Sequence, residues 1–158
     1  MGKIVTVGET FSATHAFTPT SIREFSALAH DFNPLHHDAE YAAADPRFGG
    51  LISSGTQQMS YLAALLATHY SKTAQPLGLE FDMKLRRAVR AGDDITVRWT
   101  VTDSQWKEKL AGDIVSLDGE AVNQRGETVI AATAKILVCA KPGTGAQTRT
   151  EMRPETRS

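Results

Sequence analysis

Residues 55–69 read Gly-Thr-Gln-Gln-Met-Ser-Tyr-Leu-Ala-Ala-Leu-Leu-Ala-Thr-His, a run with no Asp or Glu and with Met59, Leu62, Ala63, Leu65 and Leu66 at helical spacing. The lead-in Ser53-Ser54-Gly55 is a helix-start signal, so the spacing predicts a helix that begins there and ends near His69. It is nearly apolar all round. A helix without a wet face has to be enclosed by other structure. In a chain of 158 residues the enclosure is a sheet that curls around it.

The second half of the chain supplies such a sheet. Strand patterns cover 77–85, 95–102, 114–123 and 128–139, separated by Gly92-Asp93-Asp94, a polar turn near Gly112, and Arg125-Gly126-Glu127. Short turns between successive strands imply antiparallel pairing. A shorter helix is predicted over 21–30, where Ile22, Phe25, Leu28 and Ala29 share a face, Thr20 or Ser21 is the N-cap and Glu24 takes the capping-box position. The expectation is one α+β domain over 1–139. Residues 140–158 carry Pro, Gly, Thr and Arg without apolar periodicity and read as a disordered tail.

Composition removes several classes of function. A net charge of −1 and a pI near 6.5 argue against a general nucleic-acid surface or a polybasic membrane surface. No window approaches the roughly 18 apolar residues that a membrane span requires, and the N-terminus has no extended apolar core. The single cysteine, Cys139, lies in the apolar run Ile136-Leu137-Val138 and has no partner for an internal disulfide, so it reads as a buried strand thiol in a cytoplasmic protein.

One short segment crowds together groups suited to proton transfer. Residues 31–38 are Asp-Phe-Asn-Pro-Leu-His-His-Asp, directly behind the first predicted helix. Pro34 lacks a backbone N–H and drives Asn33 out of the helical region, so the helix ends near Asp31 and the chain turns, allowing Asp31 and His36 to converge. Polar residues on a loop held between rigid elements are more often functional than the same residues spread along a helix. Taken alone, Asn33-Pro34 is a turn dipeptide and Asp31 a turn cap. His37 is expected to be a solvated neighbour, and His15 and His69 ordinary surface or strand-end residues. His30, His36, His37 and Asp38 lack a zinc-ligand spacing, and no metal is expected.

The run Asp31-Phe32-Asn33-Pro34-Leu35-His36, followed by Asp38, Tyr41-Ala42, Phe48-Gly49-Gly50-Leu51-Ile52 and Ser54-Gly55, resembles the hydratase 2 motif of the MaoC-like acyl dehydratases. Leu85-Arg86-Arg87-Ala88-Val89-Arg90-Ala91-Gly92-Asp93 resembles the family's later strand-and-turn segment, and Asn123-Gln124-Arg125-Gly126-Glu127 its last hairpin. The matches cover roughly residues 10–139. The resemblance implies a hot-dog fold, a long central helix wrapped by a curved antiparallel sheet, usually paired as a homodimer. It also implies hydration of a 2-enoyl thioester, or dehydration of the 3-hydroxyacyl form, on a carrier that is coenzyme A or acyl carrier protein, coenzyme A being favoured, with no cofactor other than that substrate thioester.

Carried over residue by residue, Asp31 and His36 would hold and activate the water, Asn33 would help to orient them, and the Gly55 N–H would receive charge from the thioester oxygen. Ser54 and Thr56 flank that N–H and would touch substrate. Read from their own chemistry, Arg86, Arg87 and Arg90 suit the phosphates or adenine of coenzyme A, and equally suit a solvated strand edge or dimer-interface charges. The chain departs from many relatives at Ser54, where they carry His, at Ala63, where some carry Ser, and at Ala88 and Ala91, where Pro is common. Two other readings stand beside this one: a non-catalytic hot-dog subunit that binds acyl thioesters, and a thioesterase. Thioesterases of this fold place their carboxylate on the central helix, and 55–69 has none.

Overall fold

The computed structural model describes residues 3–143. In chain order it contains β1 (Thr10–Ala16), α1 (Pro19–Leu28), a 3-10 turn (Pro34–His36), α2 (Ala39–Ala44), α3 (Gly55–Tyr70), β2 (Gln75–Leu85), β3 (Asp94–Lys107), a second 3-10 turn (Glu108–Leu110), β4 (Gly112–Val122) and β5 (Thr128–Cys139). The strands form one sheet in the order β1-β3-β4-β5-β2, with every neighbouring pair antiparallel. Its inner face packs on α3, which is the hot-dog arrangement. The expected disordered tail lies, from residue 144 onward, outside the described residues. No described helix is long and apolar enough to cross a membrane.

Period-two alternation fixes which side of the sheet meets the helix. Ile95, Val97, Trp99 and Val101 of β3, Val115 and Leu117 of β4, and Ile130, Ile136 and Val138 of β5 are buried against Leu62 and Leu66 of α3. Removing each such aliphatic side chain from water contributes about 1.5–3 kcal/mol. Trp99 is fully buried, and its Nε1–H donates to the Leu62 carbonyl at 2.8 Å, which ties the middle of the sheet to the middle of the helix.

Several boundaries differ from the sequence reading. β1 was not expected; its alternation is carried by Phe11 and Ala13 among Thr and Ser, too weak an apolar signal to register as a strand. β3 runs past Thr102 to Lys107, because a bulge between Val101 and Asp103 reverses the alternation without ending the pairing. α1 starts two residues early: Thr18, not Thr20 or Ser21, is the N-cap, with Pro19 at the first helical position and a capping box closed by Ser21 in place of Glu24. Its other end is set by His30, not by Pro34. His30 adopts φ 59°, its N–H reaches the Ala27 carbonyl and the Asp31 N–H reaches the Ser26 carbonyl, a Schellman motif in which His takes the usual glycine position. Cys139 ends β5 half-buried, not buried as expected.

The central helix is also not wholly enclosed. Thr56, Ser60, Ala64, Ala67 and Thr68 form a narrow exposed stripe, invisible to hydropathy because its residues are small. The buried side includes Gln57, whose Oε1 accepts from Ser53 Oγ at 3.0 Å and whose Nε2–H donates to Tyr61 Oη at 3.3 Å.

Two substitutions test this framework. A methyl at Gly119, which pairs with Trp99 across the sheet, would come within 2.8 Å of Trp99 Cη2 and closer still to Cε3 and Cζ3. Because the indole is held by Leu62, Gly119→Ala should destabilise the fold by about 1–3 kcal/mol, read as a lower denaturant midpoint at unchanged m. Asp93 is buried in the β2–β3 turn, its Oδ2 accepting from the Arg90 N–H at 3.0 Å and its Oδ1 from Gln124 Nε2 at 2.9 Å. Burial raises its carboxyl pKa, but the Arg90 N–H, Gln124 and the Arg125 guanidinium together outweigh burial and hold it below its ordinary 3.8. The stabilisation therefore holds above pH 3.8 and is lost as pH falls through the lower folded value. The stability advantage of the native chain over Asp93→Asn, constant near neutrality, should shrink on acidification below pH 3.8 in pH-dependent urea melts.

Candidate active site

The α1 C-terminus presents Asp31 with nearly every polar group already committed. Its N–H donates to the Ser26 carbonyl at 2.8 Å, its carbonyl accepts from His37 Nε2–H at 2.7 Å, and its Oδ1 accepts from the Asn33 N–H at 3.1 Å. Oδ2 is the oxygen left over. It faces His36 Nε2 at 3.5 Å, with the His36 side chain 8% exposed and that of Asp31 33% exposed.

His36 is positioned by the 3-10 turn and by the extended segment before α3. Asn33 caps the turn by accepting from the Leu35 N–H at 3.1 Å, and Pro34 occupies its first position. His36 Nδ1 lies 2.8 Å from the Ile52 carbonyl. A carbonyl only accepts, so Nδ1 carries the proton and, in the neutral ring, Nε2 is the free base directed at Asp31. The Ile52 N–H returns to the Leu35 carbonyl at 3.2 Å, closing the loop on the segment.

That segment leads into the helix start. Ser54 is the N-cap of α3, accepting from the Gln57 N–H at 3.2 Å and from Thr56 Oγ1–H at 3.1 Å. The N–H groups of Gly55 and Thr56 have no acceptor within the helix and carry its positive end. A Cβ at Gly55 would sit 2.6 Å from Leu85 Cδ1, so the Leu85 side chain can lie against the helix start only because residue 55 has no side chain. One turn further along α3 an open groove of about 420 Å³ begins, lined by Met59, Ser60, Ala63, Phe81 and Met83.

The residues singled out in the sequence thus fall into two groups. Asp31, Asn33 and His36 share the loop, and Ser54, Gly55 and Thr56 the helix start that follows the Ile52 segment to which the loop is hydrogen-bonded. The Oδ1 of Asn33 is committed to its turn, and its backbone N–H touches Asp31. Arg86 and Arg87 lie apart, just beyond β2, where Arg87 Nη1 is 3.4 Å from Glu127. His37, read as a solvated neighbour, is instead a brace for Asp31, and its ring also stacks on Phe32. His69, read as an ordinary surface residue, pairs with Glu9 at 2.6 Å and stacks on Phe11, while His15 of β1 tilts against Tyr61. The Ile52 carbonyl was missed altogether; a backbone acceptor leaves no trace in a list of side chains.

Comparison with known proteins agrees with this architecture. The family described as MaoC like domain matches residues 4–119. A UPF0336 protein of Streptomyces griseus subsp. griseus is 31% identical over 144 residues, covering 83% of this chain and 91% of the relative. Among solved structures, the unliganded R-hydratase PhaJ1 from Pseudomonas aeruginosa superposes with TM-score 0.75 at 26% identity, over 87% of this chain and 84% of that one. The (R)-hydratase from A. caviae involved in PHA biosynthesis gives TM-score 0.74 at 25% identity, over 85% and 98%. With a curved sheet around one helix, an Asp/His loop at its start and a family match over most of its length, the chain belongs to the MaoC-like dehydratases.

Proposed function

We propose that the chain is a hydro-lyase that adds water to a 2-enoyl thioester of coenzyme A or removes it from the 3-hydroxyacyl form. The observation that carries this reading is the facing pair of acceptors, Asp31 Oδ2 and His36 Nε2, 3.5 Å apart at the mouth of the site. A water between them donates one hydrogen to each, which turns its lone pair outward toward the substrate. Attack forms the O–C3 bond and breaks the C2=C3 π bond, whose electron pair moves onto the thioester oxygen. The water proton passes to His36 Nε2, with Asp31 stabilising the imidazolium; the enolate electron pair then returns from the oxygen to form the C2–H bond with the proton released by the Asp31 and His36 pair, which restores the pair and completes the addition of one water.

The developing oxyanion is received by the Gly55 N–H, with Ser54 and Thr56 shaping its surroundings. The groove along Met59, Ala63, Phe81 and Met83 supports an apolar acyl chain extending away from the loop. The edge strand β2 leaves Leu77, Leu79, Phe81 and Leu85 about half exposed, which supports a homodimer formed by pairing of that edge. No step calls for a metal or redox cofactor, and the reaction is assigned to the cytoplasm. The named activity of the two (R)-hydratases supports the same reading.

The direct test follows the enoyl-thioester absorbance when purified protein is mixed with crotonyl-CoA and longer trans-2-enoyl-CoAs. Asp31→Asn and His36→Ala should each lower kcat by about 10²- to 10⁴-fold with the fold intact. Retained turnover in both variants would sink the assignment, and release of free thiol without formation of the 3-hydroxyacyl thioester would favour a thioesterase. His37→Phe, which keeps the stacking on Phe32 and removes the donor to Asp31, should lower kcat about tenfold at nearly constant KM, with partial recovery in His37→Gln. Equal effects of Phe and Gln at position 37 would remove the bracing role.

A further inference from the structure

Five of the chain's ten arginines, Arg47, Arg86, Arg87, Arg90 and Arg125, line a single depression of about 330 Å³ on a protein whose net charge is −1. They come from three separate places: the turn after α2, the β2–β3 connection and the β4–β5 hairpin. Three carboxylates answer them. Asp45 pairs with Arg47 at 2.7 Å, Asp93 lies 3.4 Å from Arg125, and Glu127 lies 2.7 Å from Arg125 and 3.4 Å from Arg87. Arg86 has no carboxylate partner among the described residues, so the depression keeps a surplus of positive charge.

The arginines differ in what they are free to do. Arg90 donates to the Phe48 carbonyl at 2.5 Å and the Arg47 carbonyl at 3.2 Å, so it braces the wall and has few donors left for a ligand. Arg87 and Arg125 share one carboxylate, which holds two guanidinium forks side by side. The half-buried ring of Phe48 adds a flat apolar surface, with the Arg47 guanidinium 5.1 Å from its centroid. The depression also joins the candidate active site covalently and by hydrogen bonds. The Ser53 N–H donates to the Val89 carbonyl at 2.8 Å and the Ala91 N–H to the Leu51 carbonyl at 3.0 Å, so the connection carrying Arg86, Arg87 and Arg90 is stitched to the segment that ends at Gly55.

Building on the hydro-lyase reading, we infer that this depression is the subsite for the phosphorylated nucleotide end of the coenzyme A thioester. Arg86, Arg87 and Arg125 take its phosphate oxygens and Phe48 lies against adenine, while Glu127 is a resident counter-ion from which the ligand's phosphates draw Arg87 and Arg125. Planar guanidinium groups held in place by carboxylates match phosphate with little further loss of side-chain freedom. A recess with an aromatic wall suits a nucleotide better than the convex acidic face of a carrier protein.

The first arm measures binding of adenosine 3′,5′-bisphosphate by calorimetry, with no turnover needed. Binding should weaken about tenfold in Arg86→Ala and in Arg87→Ala, fall with added salt, and tighten several-fold in Glu127→Gln. Weaker binding in Glu127→Gln would overturn the counter-ion role. The second arm takes the ratio of kcat/KM for crotonyl-CoA to that for crotonyl-pantetheine, which has no phosphates; the ratio should fall about tenfold in the arginine variants. If both thioesters are hydrated at ratios the variants leave unchanged and the bisphosphate does not bind, the subsite is refuted while the hydro-lyase reading stands. If the bisphosphate binds the native chain but not Arg86→Ala and neither thioester is hydrated, the subsite stands and the reaction does not. Turnover of a carrier-protein thioester that depends on Arg86, with none of the coenzyme A form, would overturn the subsite in favour of protein docking.

Discussion

The peptide group of Ile52 is where the loop, the sheet and the central helix become one object. Its carbonyl takes the His36 Nδ1–H at 2.8 Å and its N–H returns to Leu35 at 3.2 Å, while its neighbours Leu51 and Ser53 pair with Ala91 and Val89. Ile52 is 8% exposed and His36 6%, so water cannot replace these partners readily. Leaving a buried donor or acceptor unmatched costs about 1–3 kcal/mol, which gives the loop one position and the imidazole one tautomer. Without that carbonyl, nothing would decide which ring nitrogen faces Asp31.

The same economy of partners recurs on either side of this segment. At the α1 end, Asp31 has its N–H, its carbonyl and one carboxylate oxygen spoken for, so the remaining oxygen is directed by exhaustion of the alternatives. At the α3 end, Ser54 takes the Gln57 N–H and leaves those of Gly55 and Thr56 without an acceptor inside the helix. Both features depend on the helix lying still, and Trp99 supplies that from the opposite face. The sheet is therefore more than a cover for α3; it fixes the axial position of the helix whose first turn forms one wall of the site.

How much of this was legible in the sequence depends on whether a feature was local. The strands β2 to β5 showed themselves because Val, Ile, Leu and Trp alternate over long runs, and the central helix because its apolar residues recur at 3.6. β1 did not, since Thr10, Ser12 and Thr14 supply its outward positions and only Phe11 and Ala13 mark the core side. The α1 terminus was placed two residues late because a Schellman motif is recognised by glycine, and here His30 adopts the left-handed conformation. Asp31 and His36 were named by their pattern. His37 was misjudged because the direction of adjacent side chains on a 3-10 turn follows the turn's rotation, which spacing alone does not reveal. Arg86, Arg87 and Arg90 stood out as neighbours in sequence, but Arg47 and Arg125 join them only through the fold.

The departure at Ser54 shows how a single side chain redistributes the work of the site. The family resemblance implies His at this position, where an imidazole could reach outward as a further polar contact. Here the residue is 1% exposed, and its hydroxyl is consumed by Gln57 and Thr56 inside the first turn of α3. In the proposed reaction, charge developing on a thioester oxygen would then fall to the backbone at Gly55 and to the helix dipole, groups that need no reorganisation because the helix is already anchored. Such donors do not titrate in the working range of the protein. In the proposed reaction the groups left to handle protons are Asp31 and His36, and the hydrogen bond from His36 to Ile52 fixes which ring nitrogen faces the carboxylate.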